Sequence, residues 1–179
     1  MQKIVLKFGL IAGALVSILM LAGSVLMVGP DGKADLENGE LFGYISMIVS
    51  LSLIFFGIRS YREENGGKIS FGKAFKVGIL ITLVASVMYV ITWMIYFHTT
   101  DKKEEFGKQM MEYKVENLKK KGFSEAEISK KVTADEEFMK IYESNPLIMF
   151  AITLLEIFPV GLVVTLLSSF FLRTKNELT

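Results

Sequence analysis

The stretch VGILITLVASVMYVITWMIYF, residues 77–97, decides the fold. It runs for 21 residues without a formal charge. At a rise of about 1.5 Å per residue, a helix of that length crosses the ~30 Å hydrocarbon layer of a bilayer. A helix in a soluble domain needs only one apolar face, so a run that is apolar all round calls for lipid outside it. Residues 8–28, FGLIAGALVSILMLAGSVLMV, form a second uncharged run of equal length. Further out lie apolar stretches at 41–58 and 147–172, the latter interrupted by a single charge, Glu156. None of the four alternates polar and apolar residues as a barrel wall does. The expectation is an all-α membrane protein, a four-helix transmembrane bundle that forms one domain over 1–179. Lys3 and Lys7 precede the first run and Ala22-Gly23-Ser24 lies near its end, as in a signal peptide. The run is longer than the usual h-region of about 7–15 residues, so a retained span is expected.

Composition narrows the chemistry. The 179 residues are 51% hydrophobic and 22% charged, close to a soluble domain at roughly 45–50% and ~25%, so the distribution carries the inference and the totals do not. Cysteine is absent and His98 is the single histidine. That excludes disulfides, thiolate metal sites, a cysteine nucleophile and two-imidazole zinc motifs. Neither a P-loop nor a dinucleotide-binding glycine pattern occurs. With a net charge of +1, the case for nucleic acid is weak. The residues offer no nucleophile–base pair, so no enzymatic activity, metal or cofactor is expected.

Lysine and arginine placement sets the expected direction. The amino-terminal tail, connection 59–76 and the carboxyl tail share one side of a four-span protein. They hold nine basic residues against three acidic ones, whereas connection 29–40 has Lys33 against Asp31, Asp35, Glu37 and Glu40. The positive-inside rule then places both termini of the multi-pass chain in the cytoplasm. Tyr44, Trp93 and Tyr96 fall near the outer ends as an aromatic belt.

Residues 98–146 read as an extracytoplasmic helical hairpin between spans three and four. A helix from about Asp101 to Lys121 would end at Gly122, in the position that tolerates positive φ. Ser124 and Glu127 form a capping box for a second helix, with Phe123 stapled to Ile128. Thr133-Ala134-Asp135-Glu136 repeats the box pattern, and Asn145-Pro146 starts the last span. Its balanced charges fit a solvated connection; the functional alternative is a cap that recognises a partner or gates a cavity.

Each span carries a line of small or polar residues spaced by threes and fours. These are Gly9, Gly13, Val16, Met20 and Gly23 in the first span, and Gly43, Ser46, Ser50, Leu53 and Gly57 in the second. Gly78, Thr82, Ala85, Tyr89, Thr92 and Tyr96 align in the third, and Met149, Thr153, Glu156, Val160 and Val163 in the fourth. Small residues let helices approach in lipid, where apolar burial gives no gain. Glu156 is the residue that demands a partner. Its charged form costs at least ~2.5–3.5 kcal/mol near the bilayer centre. From helical rise, Glu156 and Ser50 lie about 13.5 Å, and Tyr89 about 12 Å, from the outer edge, so a buried Glu156–Tyr89–Ser50 hydrogen-bonded cluster is expected. Pro159 removes the donor for the Leu155 carbonyl and is expected to kink the span.

In connection 59–76, Arg59 and Arg62 precede a Gly66-Gly67 turn. Lys68, Ile69, Phe71, Lys73, Phe75 and Lys76 follow, a pattern that fits a short interfacial segment meeting anionic lipid headgroups, or a plain basic entry to the third span. Tyr61-Arg62, the Gly67-x-Ile69-Ser70-Phe71-Gly72-x-Ala74-Phe75-x-x-Gly78 run and Glu156-x-x-Pro159-x-Gly161-Leu162 resemble a bacterial family of small four-span membrane proteins known only as a domain of unknown function. The resemblance covers nearly the whole chain. It implies the bacterial inner membrane and four spans, and brings no substrate or catalytic residue.

The leading expectation is a structural or accessory inner-membrane protein without enzymatic activity. Its partners would be the lipid bilayer, a further protein or a second copy of itself. The runner-up is a small proton-coupled transporter or channel component that uses Glu156. A polar cavity reaching Glu156 would favour transport; a dry packed core would favour scaffolding.

Overall fold

The structure, a computed structural model, describes residues 1–29, 33–101 and 103–174. Asp31, Lys175 and Glu177, which entered the charge count, lie outside the described residues. Seven helices follow in order: α1 (Gln2–Leu26), α2 (Leu36–Leu51), α3 (Leu53–Glu64), α4 (Phe71–Thr99), α5 (Lys103–Lys120), α6 (Glu125–Ser144) and α7 (Pro146–Leu172). Four are long and apolar enough to cross a membrane: α1, α2 with α3 taken together, α4 and α7. They outrun the apolar stretches of the sequence because their ends are built from polar turns. The second gains most, spanning Leu36–Glu64 where the apolar run covers 41–58. At Ser52 the helix is interrupted but not turned aside. Ser52 keeps right-handed helical dihedrals, and its hydroxyl donates to the Val49 carbonyl at 2.6 Å.

The connections are fixed by local chemistry. Between α1 and α2 the chain doubles back through an antiparallel bridge, Val28 to Ala34. Asp35 caps α2 by accepting from the Asn38 amide N–H at 3.1 Å and from its side-chain amide at 2.7 Å. Both bonds favour the ionised form and hold the Asp35 carboxyl below the usual range. After α3, Gly66 and Gly67 both take positive φ, a region that glycine enters without a Cβ penalty. Arg62 Nε donates to the Gly67 carbonyl at 2.7 Å and holds that turn closed. The expected interfacial segment is not a separate element. Ile69 is buried, α4 begins at Phe71, and Phe71 and Phe75 stack on its first turns, centroids 6.2 Å apart. Ile69 is also tied to the carboxyl end: its N–H donates to Thr174 Oγ1 at 2.9 Å, and the Thr174 N–H donates back at 2.8 Å.

Gly122 at φ 80° ends the α5–α6 turn, and Ser124 with Glu127 completes the capping box. The second box does not form. α6 runs unbroken past Thr133, whose hydroxyl donates instead to the Ser129 carbonyl at 3.0 Å. No proline or glycine interrupts residues 125–144, so nothing forces a new start there. Lys114 pairs with Asp135 across the hairpin. Asn145 caps α7 by accepting from the Leu147 and Ile148 N–H groups at 3.0 and 3.3 Å, with Pro146 in the first turn, where its missing N–H is harmless.

α4 is the central helix, packed on α1 along one side and on α7 along the other. On the α1 side, a Cβ at Gly9 would meet Val84 Cβ at 2.7 Å, and one at Gly13 would meet the Ala85 Cα at 3.2 Å. The Gly9-x-x-x-Gly13 notch is thus used within the chain. On the α7 side, Gly78 and Gly161 let Thr82 and Thr165 meet. Their hydroxyls lie 3.0 Å apart, and Thr82 also donates to the Gly78 carbonyl at 3.0 Å. α3 packs on α1, α4 and α7 and fills the half of the bundle that carries the two termini. In the other half, nearer the α5–α6 hairpin, α2 leans on α1 and α7 and leaves α4 uncovered.

Candidate functional site

That uncovered face opens a cavity of about 520 Å³, within the ~300–1,000 Å³ typical of small-molecule sites. α1 contributes Val16, Met20 and Gly23 to its wall, and α2 contributes Phe42, Gly43 and Ser46. α4 presents a helical line of aromatic residues, Tyr89, Trp93, Tyr96 and Phe97. α5 lines the mouth with Glu105, Gln109, Met110 and Tyr113, and α7 supplies Glu156 alone. The segment 98–146 therefore does more than connect two spans, because one of its two helices forms part of a cavity wall. α5 is fastened there by Gln109, whose Oε1 accepts the Ala34 N–H at 2.8 Å. A shallower depression of about 330 Å³ lies on α5 between Met111 and Lys119 and has no second element to enclose it.

Glu156 departs from expectation. Among the described residues its carboxyl makes no hydrogen bond, and it is accessible, not buried. The cause lies in the period of α7. Its buried residues are Met149, Thr153, Ile157, Gly161, Thr165, Ser168, Ser169 and Leu172, a line that advances by fours from Met149 to Thr165. A sequence line of threes and fours leaves it after Thr153 and runs through Glu156, Val160 and Val163. The true contact line follows the glycine and threonine residues that approach α4, so Ile157 enters the core and Glu156 turns to the cavity. The helix continues through Pro159, which is exposed.

Tyr89 is buried, 5% exposed, and shares the cavity wall with Glu156. By helical rise both stand ten residues, about 15 Å, from the hairpin-side ends of their helices. Ser50 is not brought to them. It is fully buried, off the cavity wall, and its hydroxyl has no partner. Ser46, one turn nearer the hairpin, takes the wall position. The mouth is braced by a chain of hydroxyls. Trp93 Nε1 donates to Tyr142 Oη at 2.7 Å, which lies 3.1 Å from Thr153 Oγ1. The rings of Tyr142 and Phe97 also meet edge to face, centroids 6.0 Å apart, and the end of α6 is thereby pinned to α4 and α7.

The wall residues on α5 escaped the sequence reading. Their signal was present: Glu105, Gln109 and Tyr113 stand four apart and share one helix face. Of the basic and aromatic residues singled out at the other end, Arg59 pairs with Glu63 at 3.0 Å and Arg62 is engaged by the turn. Lys68 and Lys73 are exposed. Among the described residues no group of histidine, cysteine or carboxylate side chains has metal-binding geometry.

Residues 7–174 match the family model described as Protein of unknown function (DUF4199). The chain belongs to that family. The match takes in α1 from Lys7 onward, the other three long apolar helices, the hairpin and every described residue of the cavity wall, so the site is made of family sequence. No curated protein and no solved structure matches the chain.

Proposed function

We propose that this protein is a non-enzymatic, multi-pass component of a bacterial inner membrane that takes a small molecule into the hairpin-side cavity, with Glu156 as its polar contact. The observation that supports this reading is the cavity, which meets an acidic side chain at mid-span depth that makes no hydrogen bond among the described residues. A bundle built only for packing would enclose such a carboxyl or replace it with an apolar residue. Both termini are cytoplasmic in this reading, so the cavity opens to the outer face. The exposed Lys68 and Lys73 then sit at the inner surface, where anionic lipid headgroups are the expected partners. The structural or accessory reading draws its support from α6, where Phe138 and Ile141 stay 44% and 49% exposed and offer a face to a protein partner or a second copy.

The cysteine-free chain allows a direct test. Gly43→Cys has open space around its new Cβ and lies on the cavity wall, whereas Ser50→Cys lies beneath it. A membrane-impermeant methanethiosulfonate reagent added to spheroplasts should modify Gly43→Cys and leave Ser50→Cys intact. Equal protection of both positions would favour a packed scaffold. Modification of Asn65→Cys but not Asn117→Cys would reverse the orientation.

A further inference from the structure

From the chemistry of the cavity wall, we infer that its ligand is a lipophilic cation: a small molecule with a delocalised or shielded positive charge on an apolar, aromatic-sized body. The inference rests on the cavity reading above and deepens it. Four carboxylates line the wall, Asp35, Glu40, Glu105 and Glu156, and among the described wall residues none is Lys, Arg or His. This is not the balance of the chain as a whole, which carries 20 basic and 19 acidic residues. Two of the four acids are already engaged. Asp35 caps α2 with both oxygens, and Glu105 accepts from Gln109 at 3.4 Å. Glu40 and Glu156 make no hydrogen bond or ion pair among the described residues. One stands near the α1–α2 connection and the other at mid-span depth, so an acidic side chain is on offer at both levels of the cavity.

The rest of the wall selects the body that carries the charge. Tyr89, Trp93, Tyr96 and Phe97 line the cavity from α4, with Phe42 from α2 and Tyr113 from α5. Aromatic faces attract cations, and most strongly when water is excluded. Met20, Met27, Met47 and Met110 add polarisable, adaptable surface. A strongly hydrated ion such as sodium finds no oxygen cage here, because a single accessible carboxylate at depth leaves most of its ligand positions unfilled. Every charged side chain among the described wall residues is an acid, so an anion finds no cationic partner there. A neutral apolar molecule fills the space but leaves Glu156 without a partner.

Trp93 is the single tryptophan of the chain and stands on the wall, so its fluorescence reports on this site alone. The experiment titrates the full-length protein in nanodiscs with tetraphenylphosphonium and, separately, with tetraphenylborate, which has the same shape and the opposite charge. The expected result is a saturable change with the cation and none with the anion. Glu156→Gln should weaken the cation by at least about tenfold, whereas Glu156→Asp should retain the preference for positive charge. Equal binding of both ions, or equal affinity in wild type and Glu156→Gln, overturns the inference while the cavity reading stands. No binding of either ion, with Gly43→Cys still open to reagent, does the same. No binding together with protection of Gly43→Cys overturns both. If Glu156→Gln does not fold, the comparison of the two ions on the wild type decides alone.

Discussion

The two halves of the bundle use the same small residues to opposite ends. In the half that carries the termini, Gly9, Gly57, Gly78 and Gly161 each face a neighbouring helix so closely that an added Cβ would collide with it. There α1, α3, α4 and α7 close on one another, and the hydroxyls of Thr82 and Thr165 meet between them. In the hairpin-side half Gly23 still approaches Phe42 of α2, but Gly43 has nothing within 4 Å of where its Cβ would stand, and α2 makes little contact with α4. A small residue in a span is therefore a contact or an opening according to what the opposite helix presents. In lipid, where apolar burial gives little drive, van der Waals fit and hydrogen bonds decide which it becomes.

The largest expected effect comes from filling the two kinds of glycine. Gly161→Leu drives a side chain into Thr82, against which even a Cβ would collide. It should destabilise the protein by about 3 kcal/mol or more. Gly43→Leu should change stability by no more than about 0.5 kcal/mol. Thermal melting in mild detergent measures both, and equal losses would erase the distinction between the halves.

A smaller effect is expected at Thr82→Val, which keeps the shape and removes the bonds to Thr165 and Gly78. With interhelical bonds in membranes averaging about 0.6 kcal/mol and reaching about 1.7, a loss near 1 kcal/mol is expected. A neutral result would mean that close packing alone holds the compact half.

On the open half, Tyr142→Phe removes the acceptor of the Trp93 indole N–H and the contact with Thr153. The global loss should stay below about 1 kcal/mol, while Trp93 emission moves to shorter wavelength as its indole loses a partner. An unchanged emission spectrum would show that the brace at the mouth is not formed in the membrane.

The smallest effect is local to the hairpin. The Ser124 hydroxyl and N–H both bond the Glu127 carboxylate, which holds its carboxyl below the usual range. A depressed folded pKa contributes stability that is present above the unfolded value, near 4.3, and is lost as pH falls through the folded value. The protection factor of the amides in the first turn of α6, the intrinsic exchange rate divided by the observed rate at each pH, should therefore fall as the Glu127 carboxylate is protonated. In Ser124→Ala the protection should already be lower at neutral pH and respond less to acid. Identical pH profiles would remove the capping box as the cause.

Features that depend on near neighbours along the chain were legible from the residues. Four uncharged or nearly uncharged runs become four long helices, because a bilayer leaves their backbone no other partners than their own carbonyls. Gly122, Ser124 with Glu127, and Asn145-Pro146 set the hairpin boundaries, since each acts within one turn of chain. The second box at Thr133 failed because an uninterrupted helix satisfies the same donors at lower cost, with the hydroxyl turned back to Ser129. Only the tertiary structure decided where Glu156 points. α7 is apolar on every side, so periodicity offered several lines, and the closest approach to α4, through Gly161 and Thr165, selected the one that buries Ile157 in its place. The same holds for the cavity, and for Ser46 standing where Ser50 was expected. A cavity is a place where helices distant in sequence fail to meet, and no local pattern encodes that distance.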